Sequence, residues 1–248
     1  MSATKTRRAG VIDPARAVRA VSLSSDVVRD AATAALDAVK PKMRGWIHAV
    51  TAPLALAACI VLTVLAPTTT LTWASAVYLA CSLALFTNSG VYHIGNGHWP
   101  VKVSATLRSV DHANIFLLIA GTYTPLSLAL LDAGTARLVL VIVWAGAIAG
   151  ILARVLWMTA PRWLYTPLYV LLGWVAIWFL PEFWRNGGPA VVWLIIAGGV
   201  IYTLGAVVYA LKRPDPAPRW FGFHEIFHAC TVAAWVCQCV ACFLAVLG

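Results

Sequence analysis

Charge is what this sequence lacks. Of its 248 residues only 11% are Asp, Glu, Lys or Arg, and the acidic residues number nine. A water-soluble domain covers its surface with about a quarter charged residues, so that class is excluded. Apolar residues fill the space instead: 61% of the chain is hydrophobic, and the mean hydropathy is +0.83. Such a chain lives mostly in a bilayer. Its first 45 residues lack the apolar run of a signal peptide. No short-period repeat is visible, which points to a single bundle and away from a solenoid.

Seven apolar stretches have roughly the length needed to span the hydrocarbon core. They run over Trp46–Ala66, Thr72–Tyr92, Val110–Leu131, Leu138–Met158, Leu164–Leu180, Ala190–Leu211 and His224–Leu247. Turn chemistry separates them: Pro67 with three threonines, Gly95-Asn96-Gly97, Gly134, Pro161, Gly187-Gly188-Pro189 and Pro214-Asp215-Pro216. Trp46, Trp73, Trp99, Trp163, Trp184 and Trp220 sit near span ends, as an interfacial belt requires. The expected fold is all-α: a polytopic membrane bundle of seven transmembrane helices over residues 46–248, preceded by a tail over residues 1–45.

Basic residues orient the bundle. Nine precede Trp46, and Lys102, Arg108, Arg154, Arg162, Lys212, Arg213 and Arg219 share that side, whereas only Arg137 and Arg185 lie opposite. Sixteen against two places the N-terminus in the cytoplasm and the C-terminus outside, in a plasma (inner) membrane protein. Topology and anionic lipid therefore account for the net charge of +9, and no nucleic-acid partner is expected. Within the tail, Val28, Ala32, Ala35, Leu36 and Val39 recur at helical spacing. They predict an amphipathic helix from about Ser25 to Lys40. The six cysteines all fall inside apolar stretches and read as small buried hydrophobes.

Histidine is scarce too, with six in all. His48 starts the first span, His93 ends the second, His224 and His228 start the seventh, and Asp111 opens the third. With the orientation above, all of these ends are cytoplasmic. Polar groups in a membrane cost free energy and ask for a reason. Ser89 and His93 are four apart on one helical face, as are His224 and His228. Three imidazoles and a water make a tetrahedral zinc site with an open position.

His224-Glu225-Ile226-Phe227-His228 also spells the H-E-x-x-H of zinc peptidases. Those enzymes draw a third ligand from downstream, yet the twenty residues after His228 hold no His, Asp or Glu. The third donor must come from upstream, and His93 is best placed. Glu225 lies about 100° round the helix from His224, facing either the metal's flank or a neighbour.

Three segments together, S-G-V-Y-H (Ser89 to His93), R-S-V-D-H-A-N-I-F-L-L-I-A-G-T-Y-T-P (Arg108 to Pro125) and H-E-I-F-H, resemble the hemolysin III branch of the progestin-and-adipoQ-receptor family. The resemblance covers roughly residues 44 to 247. It implies seven transmembrane helices, a cytoplasmic N-terminus and a zinc held by three histidines near the cytoplasmic face. Those roles map onto His93, His224 and His228, with Asp111 holding the zinc-bound water and Ser89 beside it. It also implies kinship with proposed membrane metal-hydrolases that include alkaline ceramidases. One departure stands out. The family's first helix usually opens with Glu and Asn ahead of Thr-His, whereas this chain reads Arg44-Gly45-Trp46-Ile47-His48.

The chemistry expected of such a site is hydrolysis of a lipid amide or ester that arrives from the membrane. Zinc would bring the pKa of a bound water to about 7. Asp111 would take its proton and Ser89 help stabilise the oxyanion. The plainer readings are hydrogen-bonded packing for the histidines, a helix cap for Asp111, and a bond to a carbonyl one turn back for Ser89. His48 reads as a headgroup contact, a cap on the site or packing, and His98 and His112 as interfacial. Pro125 is expected to kink the third helix, with Thr122 or Thr124 repairing the freed backbone. Two other classes compete with the hydrolase: a membrane-homeostasis sensor or receptor with structural zinc, and a cytolytic pore. The pore is least favoured, because no span carries a charged stripe along its length.

Overall fold

Backbone hydrogen bonds cannot be left open in hydrocarbon, so a chain this apolar must close them within helices. The computed structural model describes residues 41–156 and 162–248. Seven α-helices cover most of these: α1 (Trp46–Leu65), α2 (Thr69–Ile94), α3 (Val101–Leu130), α4 (Ala133–Leu156), α5 (Arg162–Gly173), α6 (Leu180–Leu211) and α7 (Phe223–Leu247). A 3₁₀ segment, Trp174–Phe179, joins α5 to α6. Among the described residues there is no strand, only a single bridge between Ala217 and Phe221. The amphipathic helix expected before Lys40 lies outside the described residues.

Six continuous helical stretches are long and apolar enough to cross a membrane. The fifth is Tyr165–Leu211, a run of 47 residues that takes in both the fifth and the sixth expected spans. Laid straight it would reach about 70 Å, more than twice the thickness of the hydrocarbon core. It does not run straight. Gly188 has φ 75° and ψ 176°, outside the helical region and accessible to glycine, and Pro189 follows. The Trp174 indole donates to the Thr203 hydroxyl at 3.0 Å, across 29 residues of sequence. The run folds back on itself.

α3 occupies the centre. Of its most apolar window 72% is buried by protein, against 28% for α1 and for α4. Its polar side chains therefore meet other helices, and they fasten them. Asn114 donates to the Ala84 carbonyl at 2.7 Å, and Asn88 of α2 donates back to Leu107 of α3 at 3.2 Å. The Trp235 indole of α7 donates to Ser82 of α2 at 3.0 Å. These bonds tie together the three helices that carry His93, Asp111 and the two C-terminal histidines.

Two expectations need correction. α3 begins at Val101, capped by Pro100, so Asp111 stands in its third turn and is no helix cap. The threonine repair expected at Pro125, which lies inside the helix, is not made either: the Thr122 and Thr124 hydroxyls bond the carbonyls of Leu118 and Ala120. Neither reaches Gly121, whose carbonyl the proline leaves open. Cys239 and Cys242 have the C-x-x-C spacing, yet both thiols are free and buried in α7, as are Cys59 and Cys81 in α1 and α2. They pack as small hydrophobes.

Candidate metal centre

Each histidine owes its place to the end of a helix. His93 sits in the last turn of α2, which stops before Gly95. His224 and His228 occupy the first two turns of α7, which starts after Gly222. The end of one helix therefore meets the beginning of the other. The ligand nitrogens of His93, His224 and His228 all lie within 4.8 Å of one another. Nε2 of His93 is 3.3 Å from Nε2 of His224. The edge of a tetrahedron with metal–nitrogen bonds of about 2.05 Å is about 3.3 Å, so this pair already has the spacing of two ligands on one zinc-sized ion. His93 and His228 are buried and His224 is half-buried. Among the described residues this is the one group of three or more donors that could hold a metal.

Asp111 reaches the same place from α3, with Oδ2 3.5 Å from Nε2 of His93. That distance suits a charged neighbour better than a direct hydrogen bond. Ser89, one turn before His93 and buried, sets its hydroxyl against the Asp111 carboxylate. Ser89, His93, Asp111, His224 and His228 thus lie close together in the fold. His98, by contrast, is exposed in the turn after α2.

Glu225 does not join them. Its Oε1 accepts from Nε of Arg44 at 2.8 Å, and its Oε2 accepts from the Gly222 amide at 2.9 Å. Both oxygens are engaged away from the histidines, and the side chain is fully buried. A peptidase's H-E-x-x-H needs that glutamate free beside the metal. The peptidase reading fails here.

Sequence reasoning undervalued two residues. His48 is 2% exposed, which rules out a headgroup contact, and it lies flat on His228 with ring centroids 3.9 Å apart and planes 9° apart. Both of its ring nitrogens are buried without a hydrogen-bond partner. His112, read as interfacial, lines the same cavity as Asp111; its Nδ1 donates to the Arg108 carbonyl at 2.7 Å. Its adjacency to Asp111 was the available signal.

A cavity of about 140 Å³ begins at this cluster. Ser89, Asp111, His224 and His228 line one end, and Leu126, Leu180 and Phe183 line it deep in the bundle. Asp111 and Leu126 are fifteen residues apart on one helix, or about 22 Å. Most of the wall between them is apolar, interrupted by Thr122, Thr203 and Gln238.

Fold and site together define a multi-pass helical membrane protein with a three-histidine cluster at one end of an internal cavity. The family model described as haemolysin-III related matches residues 36–239. The chain belongs to that family. It is 32% identical over 123 residues to the hemolysin-3 homolog of Bacillus subtilis (strain 168), a stretch covering 49% of this chain and 58% of that protein. It is 33% identical over 116 residues to hemolysin-3 of Bacillus cereus, covering 47% and 52%. The chain spans about half the length of the curated relatives it matches.

Proposed function

We propose that this protein is a zinc-dependent hydrolase of a membrane lipid amide or ester, working at the cytoplasmic side of the plasma (inner) membrane. One observation carries the reading: three histidine nitrogens within 4.8 Å of one another, with a carboxylate beside them, at one end of a long, mostly apolar cavity. His93, His224 and His228 would hold the zinc. Bound there, zinc supplies Lewis acidity toward a carbonyl oxygen and acidity to a water. The chain's own residues do the rest. The cavity takes the acyl chain and leaves the carbonyl at the cluster. Asp111, whose carboxylate borders the cluster, orients the attacking water and accepts its proton at a carboxylate oxygen. Ser89 holds Asp111 in place and offers a hydroxyl near the developing oxyanion.

The topology belongs to the same proposal. Counted as two spans on either side of the fold-back at Gly188, the 47-residue run would bring the total to seven, and with the N-terminus in the cytoplasm the C-terminus would lie outside. A reporter active only in the cytoplasm, fused after Gly248, is then silent, and one inserted before Trp46 is active. Signal from the C-terminal fusion would reverse the orientation and move the site to the other face.

The hydrolase reading is tested with purified protein in vesicles that carry long-chain amides or esters. Fatty acid release that a chelator stops is the expected result. Zinc bound without release from any of them would favour a second reading, a membrane-homeostasis sensor or receptor. In that case the metal is a staple, which the origin of all three donors in just two helices, α2 and α7, supports. A cytolytic pore is the least favoured, since the histidines and the carboxylate that line the cavity gather at one end of it.

A further inference from the structure

The five residues before α1 form a strap that touches both helices of the histidine cluster. The Lys42 amide donates to the Arg219 carbonyl at 3.0 Å and the Met43 amide to the Trp220 carbonyl at 3.3 Å. The Lys42 ammonium stands 4.5 Å over the Trp220 ring. The strap is thereby sewn to the loop that leads into α7. Gly45 then turns the chain with φ 87° and passes so close to α2 that a Cβ there would lie 2.9 Å from Cβ of His93. Between these two anchors Arg44 reaches Glu225 at 2.8 Å, 181 residues away in sequence.

Glu225 is an unusual partner for a lysine- or arginine-bearing strap. Its side chain is fully buried, and Arg44 is only 20% exposed. A buried carboxylate is costly unless paired, and removal of one partner leaves the other uncompensated. Its second oxygen accepts the Gly222 amide and so closes the first turn of α7. One carboxylate therefore sets both the rotation of that turn, through Arg44, and its starting point, through Gly222. His224 immediately precedes Glu225 on the same turn, and His228 follows about one turn on.

We propose that Arg44 and Glu225 are positioning residues: their ion pair locks the first turn of α7 against the strap and the end of α2, and so holds His224 and His228 at ligand distance from His93. This rests on the reading of the histidines as a metal site. It also gives the H-E-x-x-H glutamate a role that is not that of a base.

The test uses full-length protein, with zinc for affinity and cobalt(II) for the absorption of a tetrahedral site. Glu225→Gln and Arg44→Gln should each lower zinc affinity by at least about tenfold and alter the cobalt bands, because the third ligand is no longer held. Arg44→Lys, which keeps the charge but loses the Nε donor, should show the same spectral change with a smaller loss. It is read alone if the glutamine variants do not fold. Wild-type affinity and cobalt bands in the folded variants overturn the proposal while leaving the metal site standing. A wild-type protein that takes up neither metal overturns the metal reading, and this proposal with it.

Discussion

Each end of the bundle carries an arginine–glutamate pair, and the two are opposites. At the histidine end Arg44 meets Glu225 at 2.8 Å with the carboxylate fully buried. At the far end Arg185 meets Glu182 at 3.2 Å with side chains 69% and 36% exposed. Most of the far end's other polar groups close helix ends, although the Ser75 and Ser127 hydroxyls lie buried there without a hydrogen-bond partner. Asn186 bonds the Leu130 carbonyl and Asp132 caps the Gly134 and Thr135 amides, so each serves a helix end. Around them Leu130, Val139, Phe183, Val191 and Val246 pack apolar side chains together. The histidine end instead buries His48, His93 and His228 with ring nitrogens that no protein group satisfies. Several orphaned ring nitrogens gathered in one cluster ask for a shared ligand; single hydroxyls and polar groups that close helix ends do not. The comparison makes the histidine end the candidate for ligand binding and leaves the far end to architecture.

The sharpest way to break that contrast is to remove the cluster. His93→Ala, His224→Ala and His228→Ala should each abolish most of a content of about one zinc per chain, measured by metal analysis of purified protein. His98→Ala, exposed in the turn after α2, should keep all of it. Full zinc retention in His93→Ala would mean that α2 contributes no ligand.

Next in size is Asp111→Asn. The change keeps the shape and one oxygen but removes the charge that accepts a proton. Loss of a general base costs on the order of 10² to 10⁴ in rate. Under the proposed hydrolase reading, lipid turnover should fall by that factor with zinc retained, because Asp111 lies beside the three histidines and is not among the group that could hold a metal. Undiminished turnover would hand the site to the staple reading.

How much of this the sequence disclosed depends on distance along the chain. The helix ends were legible because Pro67, Gly95 and Pro214 interrupt the apolar runs locally, and the spacing of four in His224 and His228 is local too. The start of α3 was not. Lys102 and Arg108 make residues 101–109 too polar to belong to a bilayer span, yet the helix continues through them, so Asp111 went from its expected position at a helix end to its third turn. Arg44 and Glu225 were illegible for a different reason. No periodicity links residues 181 apart, and only the packed strap brings them together. His48 was visible as a histidine at a helix start, but its stacking on His228 depends on the rotation of two helices that hydropathy does not encode.

A smaller effect is expected where the long helical run changes character. The Tyr123 hydroxyl donates to the Gly173 carbonyl at 2.7 Å and accepts the Ala176 amide at 2.6 Å, at the step from α5 to the 3₁₀ segment. Tyr123→Phe leaves both backbone groups without that partner, a cost of about 1–3 kcal/mol where they are buried. A lowered midpoint of thermal unfolding with unchanged zinc content is the expected outcome. Loss of zinc would show that the 3₁₀ step is coupled to the cluster.

The smallest effect belongs to the far-end ion pair, and it bears directly on the comparison. Glu182→Gln removes a carboxylate that its arginine meets three residues on, in the first turn of α6. Exposed pairs of this kind are screened by water and salt and contribute about 0–0.5 kcal/mol. A negative charge near a helix start adds at most a few tenths more when it is exposed. The variant should therefore unfold within about 0.5 kcal/mol of wild type, keep its zinc and keep its cobalt bands. Glu225→Gln, the same atom-for-atom change at the other end, should disturb all three. If Glu182→Gln proves as damaging as Glu225→Gln, then burial is not what separates the two pairs, and the division of the bundle into a chemical end and an architectural end has to be given up.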